Sequence, residues 1–192
     1  MNDNLFQLLN RMAGHYDWID DFMEFCAQDI VLIMIAVIAC LWLTGKESFQ
    51  KSAFFACLTA AVSLLIGSLI ISPAVDHPRP FVAHQVTQLI AHAPDASFPS
   101  DHATFAFSLA FAIWFTNRRL GVALLALSVL TGIARVYVGV HYPADIAGAI
   151  VLSFVVGFLV HKLSGILNFL PMIPIRIYRK IADKLTFLPR AQ

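Results

Sequence analysis

The chain has 192 residues, of which 59% are hydrophobic and 13% charged, and its formal net charge is +1. A soluble domain of this size would not tolerate so little charge on its surface, so the composition implies an integral membrane protein. The near-zero net charge gives no global electrostatic argument for nucleic acid as a partner.

The N-terminus has no basic segment followed by an apolar stretch and a small-residue cleavage site, so no cleaved signal peptide is expected. Residues 1–28 carry apolar positions at helical spacing rather than a spanning run. Leu5, Leu8, Leu9 and Met12 form one stripe and Ile19, Phe22, Met23 and Cys26 another, with a break near Gly14–Asp17. Polar residues such as Asn4, Gln7, Asp20 and Glu24 face each stripe. That pattern suits helices lying in the membrane interface, or equally a helical cap packed on a bundle.

Five apolar runs follow, roughly Ile30–Thr44, Ala53–Ser72, Ala103–Phe115, Leu120–Ala134 and Ile146–Val160. Several are shorter than the ~17–25 residues a spanning helix usually needs. Polar turns at Pro99–His102 and Arg135–Val140 would extend them. Cys40 and Cys57 fall inside runs and Cys26 near the end of the second N-terminal stripe, so free thiols are expected rather than a disulfide framework.

If the runs alternate in direction, Lys46, Lys51, Arg118, Arg119 and Lys162 share one side with Arg176, Arg179, Lys180, Lys184 and Arg190. The positive-inside rule then puts the N-terminus outside, the C-terminus in the cytoplasm and the polar turns facing outward. The tail from Leu167 to Gln192, with Ile177, Ile181 and Leu185 opposite Arg179, Lys180 and Lys184, suits a basic helix on an anionic leaflet. The expected fold is all-α: N-terminal interfacial helices over 1–28, a membrane core of about five spanning helices over 29–163, and an amphipathic basic tail over 164–192.

Three polar segments fall on the outward side. In the first, Arg79 lies between Pro78 and Pro80, which stiffen the backbone and hold the guanidinium for bidentate recognition of a phosphate. In the second, Ser97-Phe-Pro-Ser-Asp-His102, Ser100 is a natural N-cap, and the free N–H groups behind it form an anion site. In the third, Arg135, His141 and Asp145 are spaced by six and four residues, with Pro143 suited to the first turn of the next helix. Asp145 is then near enough to hold one imidazole nitrogen of His141, leaving the other free as nucleophile or base. Charged groups at that depth are costly unless they have partners, so the cluster is a functional-site candidate.

Arg79-Pro80, Pro99-Ser-Asp-His102 and Arg135…His141…Asp145 resemble the three signature motifs of the type-2 phosphatidic acid phosphatase superfamily. With Arg79–His84 (RPFVAH) and His92–His102 (HAPDASFPSDH) added, the chain is similar to the bacitracin-resistance type of undecaprenyl-pyrophosphate phosphatase. The resemblance implies His141 as a nucleophile forming a phosphohistidine, Asp145 as its orienting partner and His102 as general acid. It implies that Arg79, Ser100 and Arg135 bind phosphate oxygens. Two further phosphate-site positions depart from the common pattern: Ser72 stands where the family usually has lysine, and Asp101 where it usually has glycine. His77, His84 and His92 on the same outer segment could compensate if protonated, or be ordinary loop histidines.

No cofactor is implied, and no HExxH-like spacing suggests a metal. The expected partners are a polyisoprenyl diphosphate and membrane lipid, in a bacterial cell membrane with the site facing outward. A phosphatidylglycerophosphate or phosphatidate phosphatase is the alternative within enzymes. A proton-relay transporter is the alternative outside them, and it would need ionisable groups through the depth of the membrane, where the runs have none.

Overall fold

The computed structural model describes residues 2–184, and every regular element among them is a helix. In chain order these are α1 (Asn2–Asn10), α2 (Asp17–Gln28), α3 (Ile30–Leu43) and α4 (Glu47–Ile66). A π-helical segment, Gly67–Ile71, carries α4 into the short α5 (Ser72–Val75), and α6 (Pro80–Ala83) follows. The remainder is α7 (Asp101–Thr116), α8 (Arg118–Tyr137), α9 (Pro143–Leu163) and α10 (Phe169–Ala182).

α7 is the central helix, packed against α4, α8 and α9. Small residues allow that closeness, as is usual where helices meet inside a membrane. On α4 the buried face is Ala53, Ala56, Thr59, Ala60 and Ser63; on α7 it includes Ala103, Ala106 and Ala110. Inside this apolar packing the Ser108 hydroxyl donates to Ser153 Oγ at 3.0 Å, and Ser153 Oγ donates to the Thr104 carbonyl at 2.9 Å, clasping α7 to α9. α3 is apolar all round and buries only its Ile30, Met34 and Ile38 row, leaving Leu32, Ile33 and Ile35 outward.

The five expected runs each correspond to a helix, but the span count differs. Three stretches are long and apolar enough to cross a membrane, Glu47–Ala83, Arg118–Tyr137 and Pro143–Leu163, and α2 with α3, bent by 44°, makes a fourth if taken as one span. α7 has 16 residues, a rise of about 24 Å. Its protein neighbours cover it, so its polar first turn need not meet lipid.

The break expected near Gly14–Asp17 separates α1 from α2. α1 is tied to the bundle by Asn10, whose Nδ2 donates to the carbonyls of Thr87 (2.7 Å) and Tyr137 (2.9 Å). Its Leu5 and Leu8, and Met12 just beyond it, stay exposed while Phe6 is buried. In α2, Asp20 accepts from the Tyr137 hydroxyl at 2.7 Å. Cys26, Cys40 and Cys57 are free thiols, as expected. The expected basic tail forms α10 through Ala182, and Leu185 and Arg190 lie outside the described residues.

Candidate active site

Between α8 and α9 the chain reverses at Gly139, whose φ of +84° favours glycine and where a Cβ would stand 2.5 Å from the Thr87 carbonyl oxygen. The turn brings Val140 N to the Arg135 carbonyl at 3.3 Å and lays His141 beside the end of α8. Pro143 then opens α9, and Asp145, two residues on, accepts from Tyr142 N at 2.8 Å with Oδ2. The same oxygen is 3.3 Å from His141 Nδ1. The carboxylate therefore takes the Nδ1 proton and leaves the Nε2 lone pair free.

That lone pair faces Arg79. Arg79 Nη1 is 3.0 Å from His141 Nε2 and donates to the Val140 carbonyl at 3.1 Å. Arg79 Nε donates to Asp95 Oδ1 at 2.8 Å, and Nη2 to the Ala96 carbonyl at 3.4 Å. Flanking prolines and these bonds leave the residue 3% exposed. Arg135 is 1% exposed, yet its Nε and Nη2 have no hydrogen-bond partner among the described residues. Buried, unpaired guanidinium donors are costly, and beside a second buried arginine they point to an anion as the missing partner. His141 is held well below the ordinary imidazole pKa, first by burial and then by Arg135 and Arg79, so it is neutral at pH 7.

The second motif closes the site from α7. Ser100 caps that helix, its side chain accepting from Ala103 N at 3.5 Å, and its own N–H donates to the Asp145 carbonyl at 3.4 Å. Ser97 N donates to the His77 carbonyl at 2.8 Å, joining the second motif to the first. The Phe98 ring packs closely on α9 because Gly148 has no side chain; a Cβ there would meet the ring at 2.3 Å. His102, in the first turn of α7, is half-buried with no hydrogen-bond partner for its ring among the described residues.

Arg79, Arg135, His141, Asp145 and Ser100 thus come together, with His102 on the adjoining turn. Asp101 is exposed and bonds to neither arginine, and the half-buried Ser72 has no side-chain bond to the cluster. Two neighbours were not singled out from the sequence. Asp95, 60% exposed at its side chain, holds Arg79; burial pushes its carboxyl up, but the bond to Arg79 and the arginine's charge bring it below the usual range. Tyr142 packs its ring against Phe6, His77 and His84. Of the three outer histidines, His92 has its ring 6.1 Å from that of His141, and burial depresses its pKa. It is therefore neutral at pH 7 and does not replace the missing lysine's charge.

A family model described as the PAP2 superfamily matches residues 52–168. The chain belongs to this superfamily. The stretch matched runs from α4 to the segment before α10 and so contains all three polar motifs. Among curated proteins the chain is 37% identical to undecaprenyl-diphosphatase BcrC of Bacillus subtilis, over 100% of this chain and 99% of that one. It is 34% identical to YbjG of Escherichia coli K12, over 81% of this chain and 78% of that one. Among solved structures it resembles LpxE of Aquifex aeolicus, with a TM-score of 0.66 and 23% identity over 84% of this chain and 94% of that one. At that identity the likeness speaks for the fold. The protein is accordingly a multi-pass helical membrane protein of a phosphatase family, in agreement with its composition.

Proposed function

We propose that the chain hydrolyses undecaprenyl diphosphate to undecaprenyl phosphate on the extracytoplasmic face of a bacterial membrane, through a phosphohistidine on His141. The observation that carries this reading is the pairing of a neutral His141, its Nε2 free of protons, with two buried arginines, one of which has unpartnered donors. A nucleophile at the centre of a dry cationic pocket suits phosphoryl transfer, where positioning and electrostatics supply most of the catalysis. Full-length similarity to a protein named undecaprenyl-diphosphatase supplies the substrate class.

In this mechanism the terminal phosphate enters where Arg79 Nη1 now meets His141, and Arg79, Arg135 and the N–H groups behind Ser100 bind its oxygens. Nε2 attacks phosphorus, the bridging P–O bond breaks, and His102, which takes up a proton once the bound phosphate offsets the charge of Arg135 and Arg79, donates it to the departing lipid monophosphate. Asp145 stabilises the cation that develops on His141. Water then attacks the phosphohistidine, giving its proton to His102, and inorganic phosphate leaves as the N–P bond breaks. The isoprenoid tail remains in the bilayer throughout.

A lipid monophosphate is a better leaving group than the alkoxide released from a monoester, so less cationic help is needed. That accounts for Ser72 and Asp101 at positions where the family has lysine and glycine. Purified protein should release phosphate from undecaprenyl or farnesyl diphosphate much faster than from phosphatidylglycerophosphate or phosphatidate. A preference for the glycerophospholipids would overturn the substrate assignment.

A further inference from the structure

At the end of the bundle away from His141, a cavity of about 630 Å³ opens among the start of α4, the ends of α7 and α9 and the start of α8. The Ser164–Asn168 segment leading to α10 forms its lip. Its volume lies in the roughly 300–1,000 Å³ range of pockets that enclose small ligands. The inner wall is apolar, with Leu41, Phe55, Ile113, Leu120 and Val160. Among the described residues no carboxylate lines it, whereas Lys51 and His161 do.

The polar groups on the wall sort into two sets. The hydroxyls of Ser52, Thr59, Thr116 and Ser164 donate to carbonyls of their own chain segments, at 2.7 to 3.1 Å, and so have no proton to offer a ligand. The donors left over belong to Ser48, Lys51, His161 and the amides of Asn117 and Asn168. Lys51 pairs with Glu47 at 2.8 Å through one of the three N–H bonds of its ammonium. Asn117 uses its oxygen to accept from Leu120 N at 3.2 Å as the N-cap of α8, which leaves its amide N–H groups outward. A rim of donors and a cation above an apolar shaft matches an amphiphile with an anionic head.

The surroundings agree with a bilayer lipid as the source. Lys46, Arg118, Arg119 and Lys162 gather at this same end of the bundle. Just past the lip, α10 exposes Phe169, Ile173 and Ile177, a stripe suited to the acyl region. We infer that this cavity binds an anionic phospholipid, its phosphate against Lys51, Asn117 and Asn168 and part of one acyl chain in the shaft. The site is separate from the catalytic cluster, and the inference does not depend on the substrate.

Native mass spectrometry of the delipidated full-length protein, titrated with phosphatidylglycerol or phosphatidylcholine, tests it. One phosphatidylglycerol should be retained in preference to phosphatidylcholine. Lys51→Gln should weaken that retention about fivefold, the worth of one basic residue near an anionic lipid surface. Asn117→Asp should weaken it at least as much, because it adds a carboxylate to the rim while remaining a good helix N-cap. Both variants should turn over farnesyl diphosphate like the unmodified chain, which shows that they fold. Equal retention of the two lipids, or phosphatidylglycerol retention unchanged in both variants, would overturn the proposal. So would displacement of the lipid by millimolar inorganic phosphate, which would make this a site for the free anion.

Discussion

His141 owes its readiness to one carboxylate oxygen that does two things at once. Asp145 Oδ2 caps α9 through Tyr142 N and orients the imidazole through Nδ1. The spacing of Pro143 and Asp145 within one helical turn made this visible in the sequence. Ser100 was visible for the same reason, since capping is a local event. Asp95 was not: it meets Arg79 sixteen residues away, across a loop whose path no periodicity reveals. In the proposed mechanism it is a positioning residue, keeping the guanidinium's Nη1 where the phosphate would bind. Asp95→Ala should therefore lower kcat/KM about fivefold, the scale of a half-exposed charge-assisted hydrogen bond. Asp95→Asn, which still accepts from Nε, should restore most of the loss in steady-state kinetics with farnesyl diphosphate. Failure of asparagine to restore it would mean that the charge matters, not the orientation.

At the scale of elements, the five apolar runs foretold α3, α4, α7, α8 and α9 because burial inside a membrane leaves a compositional mark that tertiary packing does not erase. What lay beyond the sequence were features set by contact between distant segments. The bend of 44° between α2 and α3 is one, and the clamp of Asn10 onto Thr87 and Tyr137 is another. Gly139 shows why the site needs both kinds of information. Its positive φ makes the turn that aims His141, and the Thr87 carbonyl fills the space where a side chain would stand. Gly139→Ala should cost about 2–3 kcal/mol, from left-handed backbone in a residue with a Cβ together with displacement of the outer loop. Denaturation midpoints in detergent would show it, and an alanine variant with an unshifted midpoint would contradict the close approach.

Across the whole molecule, polarity is divided between two ends. Arg79, His102, Arg135 and His141 gather at one end of α7–α9, and Lys51, Arg118, Arg119 and Lys162 at the other. Between them the polar atoms are hydroxyls such as Ser108 and Ser153, which bond to each other and to backbone. A proton relay would need titratable groups there. The proposed outward orientation of the catalytic end rests on the positive-inside rule applied to this division. In a background lacking Cys26, Cys40 and Cys57, a membrane-impermeant thiol reagent applied to intact cells should label a cysteine at Gln88 and not one at Asn117. The opposite pattern would turn the site toward the cytoplasm.

The claim on which all three scales converge is that His141 becomes covalently phosphorylated. Rapid acid-free quenching of the purified protein mixed with farnesyl diphosphate carrying a radiolabelled terminal phosphate measures this directly. The account predicts an acid-labile, base-stable phosphoenzyme that maps to His141, forms more slowly in Asp145→Asn and is absent in His141→Ala together with turnover. A His141→Ala protein that still releases phosphate at the normal rate, or label on another residue, would contradict it.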